Sequence, residues 1–246
     1  MTINLTIPTT WNDLSDNQLK RLAGVFHSKK NKIQDVLVFF TLLNIKWWQF
    51  RKAYKASIVL KNVGISELKK HYNFIYKKQE RTKFISCFKI KNKQLFAPNE
   101  RITNLTVDEF AHAEDLYLGW HKTKDIEYLQ YLTAVLYREK DTKGKRLVFD
   151  KTELEERAKA LRKTDKNIFL ATALTYQGCR EYLYTQFPKV FPVNNKKQQA
   201  PNSSGFGKLI LHLSGAKFGA HNETKNTNVY TFLSEFEEQL KNQPNA

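Results

Sequence analysis

The chain has 246 residues, 41% of them hydrophobic, with a formal charge of +17, 17 Phe, 11 Tyr and 4 Trp. That much apolar material excludes a wholly disordered chain. Nine glycines and six prolines are too few for a collagen-like or turn-dense all-β protein, and two cysteines, Cys87 and Cys179, cannot build a disulfide framework or a C-x-x-C metal pair.

Taken in chain order, most of the sequence has helical period. Thr10-Trp11-Asn12-Asp13 reads as a capping-box variant, and Leu19, Leu22, Ala23 and Phe26 follow at helical spacing, predicting a helix over about 11–28. A second helix is expected over about 32–54, with Ile33, Val36, Leu37, Phe40 and Leu43 on one face. Ser57 to Val63 suggests a short strand, and Ser66 caps a helix over about 66–79. Phe84 to Phe96 alternates loosely, so a β-hairpin turning at Asn92-Lys93 is expected within 82–97. Thr106-Val107-Asp108-Glu109 is a capping box for a helix carrying Phe110, Ala113, Tyr117 and Trp120. Thr123 is read as the cap of the next helix, through Ile126 to Tyr137. Residues 139–150 read as an exposed loop. Helices over about 152–162, 168–187, 205–214 and 228–242 complete the pattern, with a Pro-bounded polar mobile loop at 188–204. The expected fold is mainly α, one or more multi-helix bundle-like domains with one small hairpin near 82–97.

Charge divides the chain unevenly. Residues 1–101 hold 20 Lys+Arg against 6 Asp+Glu, or +14, while 102–246 hold 21 against 18, or +3. This gives an expected division into a basic N-terminal region, 1–101, and a helical C-terminal region, 102–246. A basic half points to a polyanion or an acidic partner. Sixteen of the 20 cations are Lys, which favours non-specific electrostatics over the Arg forks of base readout. Lys29, Lys30, Lys32, Arg51, Lys52 and Lys55 are the candidate polyanion contacts.

Catalytic patterns do not emerge. G-x-S-x-G and Walker A motifs are missing, and Gly215-Ala216-Lys217-Phe218-Gly219 lacks the following G-K-[ST]. Glu109-Phe110-Ala111-His112 matches one Glu-x-x-His unit, where a di-iron bundle needs two units and two more helical glutamates. A helix-surface pair of Asp108 and His112 is the simpler reading. No catalytic residue, cofactor or metal is therefore expected. Trp47-Trp48 with Phe50, Arg51, Lys52, Tyr54 and Lys55 mixes rings and cations as single-strand binders do. Adjacent helical Trp residues point about 100° apart, so core packing for one and interface burial for the other is the competing reading. Trp11, Trp47, Trp48 and Trp120 are the candidate interface anchors.

Several short segments follow one another in this order: Ile7-Pro8-Thr9-Thr10-Trp11-Asn12-Asp13-Leu14, Asn104-Leu105-Thr106-Val107-Asp108-Glu109-Phe110, Leu132-Thr133-Ala134-Val135-Leu136-Tyr137-Arg138, Phe187-Pro188-Lys189-Val190-Phe191, Gly215-Ala216-Lys217-Phe218-Gly219, and the helix after Thr227-Asn228. This order resembles tail-region proteins, tail-assembly or virion-structural, encoded by phages and prophages of Bacteroidetes bacteria. The resemblance covers most of the chain, contains no catalytic signature and brings no functional residues with it. It implies a non-enzymatic protein acting through protein–protein contacts in tail assembly or in the virion. Its partners would be other phage tail or virion proteins, with a homo-oligomer compatible, and its location the host cytoplasm during assembly or the particle itself. The alternative from the residues alone is a sequence-non-specific nucleic-acid-binding protein using the Lys-rich N-terminal half. The start of the chain lacks a secretion-signal pattern and no apolar run reaches the length of a membrane span, so no membrane partner is expected.

Overall fold

The computed structural model describes residues 5–28, 33–46, 48–192 and 221–242. Over these residues the protein is mainly helical, with one two-stranded antiparallel hairpin. The helices are α1 (Asp16–His27), α2 (Gln34–Leu42), α3 (Phe50–Val63), α4 (Ile65–Lys70), α5 (Val107–Thr123), α6 (Ile126–Leu136), α7 (Leu154–Leu161), α8 (Lys166–Gln186), α9 (His221–Asn226) and α10 (Val229–Asn242). The strands are β1 (Cys87–Ile90) and β2 (Lys93–Phe96), with Phe88 opposite Leu95 and Lys89 opposite Gln94. The chain turns at Lys91-Asn92, one residue earlier than expected, with Lys91 at φ 50°.

Helix α8 is the central element, because its length is apolar or small on most sides. Phe169, Ala173, Tyr176, Gly178, Cys179 and Leu183 are all buried. It packs against α1 and α6, while α5 and α7 lie on α6. Leu19, Leu22, Leu132, Leu136, Tyr176 and Phe232 belong to one hydrophobic cluster. A boundary at residue 101 therefore passes through a shared core. The hairpin is tied to the end of α6 by paired backbone bonds between Phe96 and Arg138 and by the Tyr137 hydroxyl, which donates to the Ile85 carbonyl at 2.9 Å.

Several local expectations are corrected. Thr10 to Asp13 forms a short 3-10 turn, and α1 begins after Ser15, whose capping box is completed by Gln18. The expected helix over 32–54 is two helices. Asn44 sits at φ 49°, a left-handed conformation that Asn tolerates better than most residues and that ends α2. The segment read as a strand from Ser57 is the second half of α3, which runs on to Gly64 at φ 77°. Helix α4 is short and passes into a 3-10 turn, Asn73–Tyr76. Asp125, not Thr123, caps α6, accepting from the Glu127 amide. At the start of the expected mobile loop, Phe191 stacks on Tyr184 with centroids 4.2 Å apart and Lys189 N–H donates to Glu237, so residues 188–192 are anchored. The rest of that loop, from residue 193, and the helix expected at 205–214 lie outside the described residues.

Candidate functional site

The corner between α2 and α3 gathers exposed rings and cations. Asn44 stops α2, and a turn in which the Gln49 amide donates to the Lys46 carbonyl at 2.9 Å leads into α3. Gln49 holds this turn, its side-chain oxygen accepting from the Lys46 amide at 3.0 Å. Lys52 then donates to the Leu43 carbonyl at 2.7 Å, capping the C-terminus of α2 from the first turn of α3. Lys52 is thus half-buried and committed to the turn, which corrects its expected role as a free polyanion contact.

Helix α3 meets the body of the protein along a narrow stripe. Ala56 is fully buried and Val59 and Leu60 are half-buried on the same side. The opposite side faces solvent. Phe50 is 71% exposed, Tyr54 69% and Trp48, just before the helix, 54%. Phe50 and Tyr54 are one turn apart, roughly 6 Å along the axis, and Arg51, Lys55 and Lys61 are exposed beside them. Lys46 Nζ lies 5.1 Å from the centroid of the Trp48 ring. A shallow depression lined by Trp48, Phe50, Arg51 and Lys52 opens beside a second one lined by Ile7, Asp13, Leu43 and Lys52. Between Lys46 and Gly64 the sequence has five Lys or Arg and no Asp or Glu. The stretch itself is therefore uniformly cationic, with Asp13 the carboxylate in the adjoining depression.

The structure separates the other expected anchors. Trp11 is a core residue, 4% exposed, edge-on to Phe74 at 6.0 Å and tilted against Phe26, so it offers no contact surface. Trp120 is half-buried in the last turn of α5, against Tyr117, with Lys124 Nζ 5.0 Å from its ring. Trp47, Lys29, Lys30 and Lys32 lie outside the described residues. Of the expected residues, Trp48, Arg51, Lys52 and Lys55 come together. Phe50 and Tyr54 join them as the most exposed rings at this corner. Their i, i+4 spacing in a stretch without acids was the available signal. Phe50 and Tyr54 already stand in the ring-and-cation group visible in the sequence, and only their exposure had to come from the fold.

Buried charges elsewhere are occupied by structural partners. Glu109 lies between Arg138, with which it forms an ion pair, and Arg146 Nη2 at 3.5 Å, all three side chains being almost wholly buried. Arg146 comes from the loop expected to be exposed. Burial and the Arg138 charge push its guanidinium well below the usual range. Glu109 also completes the α5 capping box, accepting from the Thr106 amide at 2.8 Å. His112 instead approaches the Asp108 carbonyl at 2.9 Å and the Phe149 ring, so the Glu-x-x-His pair serves two different clusters. Glu114 accepts from Arg180 Nε at 2.6 Å and from the hydroxyls of Tyr176 and Tyr184. Burial first, and Glu114 second, hold both tyrosines above the usual phenol range. Cys179 is fully buried, its thiol donating to the Thr82 carbonyl, and burial pushes it up and away from reactive thiolate. Among the described residues, no group of three or more His, Cys, Asp or Glu is placed to hold a metal ion, and no helix is long and apolar enough to cross a membrane.

No known protein family, curated protein sequence or solved structure matches this chain.

Proposed function

We propose that this chain is a non-enzymatic binding protein that works through protein–protein contacts in phage tail assembly or as a virion component, with the exposed face of α3 as its contact surface. The observation that carries this reading is the exposure of Phe50, Tyr54 and Trp48 at one corner. Aromatic side chains bury large areas when they can, and clustered exposed rings mark interaction surfaces. The phage setting, in the host cytoplasm and in the particle, rests on the ordered sequence segments described above. The proposal of no turnover is supported by Glu109, Glu114 and Cys179, whose polar atoms are engaged by Arg138, Arg180 and the Thr82 carbonyl.

The test is genetic. Cells carrying a Phe50→Ala, Tyr54→Ala version should yield clearly fewer infectious particles while the purified variant keeps its helical spectrum. A hot-spot ring costs about 2 kcal/mol or more of binding when truncated. Normal particle yield from cells lacking the gene would refute the assembly role.

A second reading is favoured by the charge of the same face, five cations without an acid from Lys46 to Gly64. In that reading the Lys-rich N-terminal half binds nucleic acid without sequence preference. Affinity for any polynucleotide would then fall steeply with salt as counterion release is lost.

A further inference from the structure

We propose that the α3 face is a binding site for single-stranded nucleic acid, with Phe50 and Tyr54 as base-stacking platforms and Arg51, Lys55 and Lys61 as phosphate contacts. This rests on the nucleic-acid reading above and goes beyond it in naming the form of the ligand and the residues that select it.

Three features of the face favour this occupant. The first is charge. A polyanion meets Lys46, Arg51, Lys55 and Lys61, with Lys52 held in the turn, and no carboxylate between Lys46 and Gly64. Three of those four are Lys, point charges that suit a phosphate chain of any sequence. The second is the interleaving of rings and cations. Around α3, Lys61 lies between Phe50 and Tyr54, and the half-buried Ile58 follows before Arg51 and Lys55, so a short line of Phe50, Tyr54 and Ile58 is edged by cations. A membrane-surface helix needs a wide apolar face to bury in lipid, and here Val59 and Leu60 turn towards the protein and only the half-buried Ile58 joins the two rings. The third is spacing. Phe50 and Tyr54 stand one turn apart, a backbone rise of roughly 6 Å, so both exposed rings fall within the reach of one short strand. A duplex keeps its base faces stacked inside, so the rings select for an unpaired strand.

The probe is a fluorescently labelled oligothymidine of about 20 nucleotides, longer than one binding site, titrated with the full chain and followed by anisotropy. The comparison ligands are a duplex of equal length and vesicles containing phosphatidylserine. Oligothymidine should bind more tightly than duplex. The Phe50→Ala, Tyr54→Ala double variant should bind it about tenfold more weakly or worse, with duplex binding unchanged. Phe50→Tyr with Tyr54→Phe keeps both rings and should retain binding, which separates lost stacking from lost folding. Lys55→Gln with Lys61→Gln should reduce the magnitude of the slope of log affinity on log salt from about 2 by about 1.4, whereas Lys89→Gln with Lys91→Gln on the hairpin should leave it alone. Equal binding of single strand and duplex, insensitive to ring removal, overturns this proposal and leaves general polyanion binding standing. Failure to bind either polynucleotide at low salt sinks both. Ring-dependent binding to vesicles without binding to oligothymidine overturns it in favour of a lipid surface.

Discussion

Gly178 tests the packing of the core most sharply, because two effects of known size pull in opposite directions there. It lies within α8, where replacing Gly by Ala in a helix interior ordinarily gains about 1 kcal/mol. A methyl group at this position would stand 2.1 Å from the Arg81 carbonyl oxygen and 2.8 Å from its carbon. An ordinary carbon–oxygen approach is about 3.3 Å or more, so α8 and the Arg81 backbone must part by roughly 1 Å. Arg81 cannot yield easily. Its buried guanidinium donates to the carbonyls of Trp11 and Leu14, both at 2.9 Å, which fixes the start of the chain to this segment. Overpacking of this kind costs about 1–3 kcal/mol, and the rigid backbone contact places Gly178→Ala at the upper end. The net expectation is a loss of about 2 kcal/mol and a fall in Tm of roughly 4–8 °C for a chain of this size. Chemical denaturation followed by circular dichroism measures it directly. Gly24→Ala in α1 is the matched control. There the added methyl meets the Asn167 side chain, with its oxygen 2.5 Å away, and that side chain can rotate aside. Gly24→Ala should be neutral or gain up to about 1 kcal/mol. If Gly178→Ala proved as stable as the parent, α8 would not approach Arg81 as described.

Other outcomes follow from single contacts. Glu109→Gln leaves Arg138 and Arg146 buried without their carboxylate and should cost about 3–5 kcal/mol in the same denaturation measurement; a change under about 1 kcal/mol would mean the two guanidinium groups find water. Trp11→Ala should cost about 3–5 kcal/mol as a core truncation, whereas Trp48→Ala should stay within about 1 kcal/mol, and the reverse ranking would restore Trp11 as a surface anchor. Asp35 is held below the usual carboxylate range chiefly by the Lys69 ammonium and then by the Tyr76 hydroxyl. Its folded-state pKa is depressed, so its stabilisation is complete above the unfolded value of about 3.9 and disappears as pH falls through the lower folded value. The gap in denaturation midpoint between the parent and Asp35→Asn should therefore be constant from neutral pH to about pH 5 and close in stronger acid; a gap that persists at low pH would show that charge is not its source.

Local signals along the chain specify the helical class, the hairpin and most of the second half. Capping boxes, apolar spacing at 3.6 residues and a paucity of breakers are local signals, and the Thr106–Glu109 box opens α5 in the structure as its residues specify. The sequence also holds the chemistry of the α3 face, since an acid-free run of rings and cations is a property of composition. Which rings are surface and which are core depends on how the distant segments pack. Trp11 and Trp48 are the same residue type in similarly polar surroundings, yet one is enclosed by Phe26 and Phe74 and the other is left at a corner. The β-branched residues that suggested a strand after Ser57 are helical because Ala56, Val59 and Leu60 share one side of α3 and bury together. Arg146 shows the same dependence from the opposite direction. It stands in a polar, Gly-containing segment that reads as loop, and it is buried because Glu109, 37 residues earlier, supplies its counter-charge. Burial is set by what the rest of the chain brings to a residue, and neither periodicity nor composition records that.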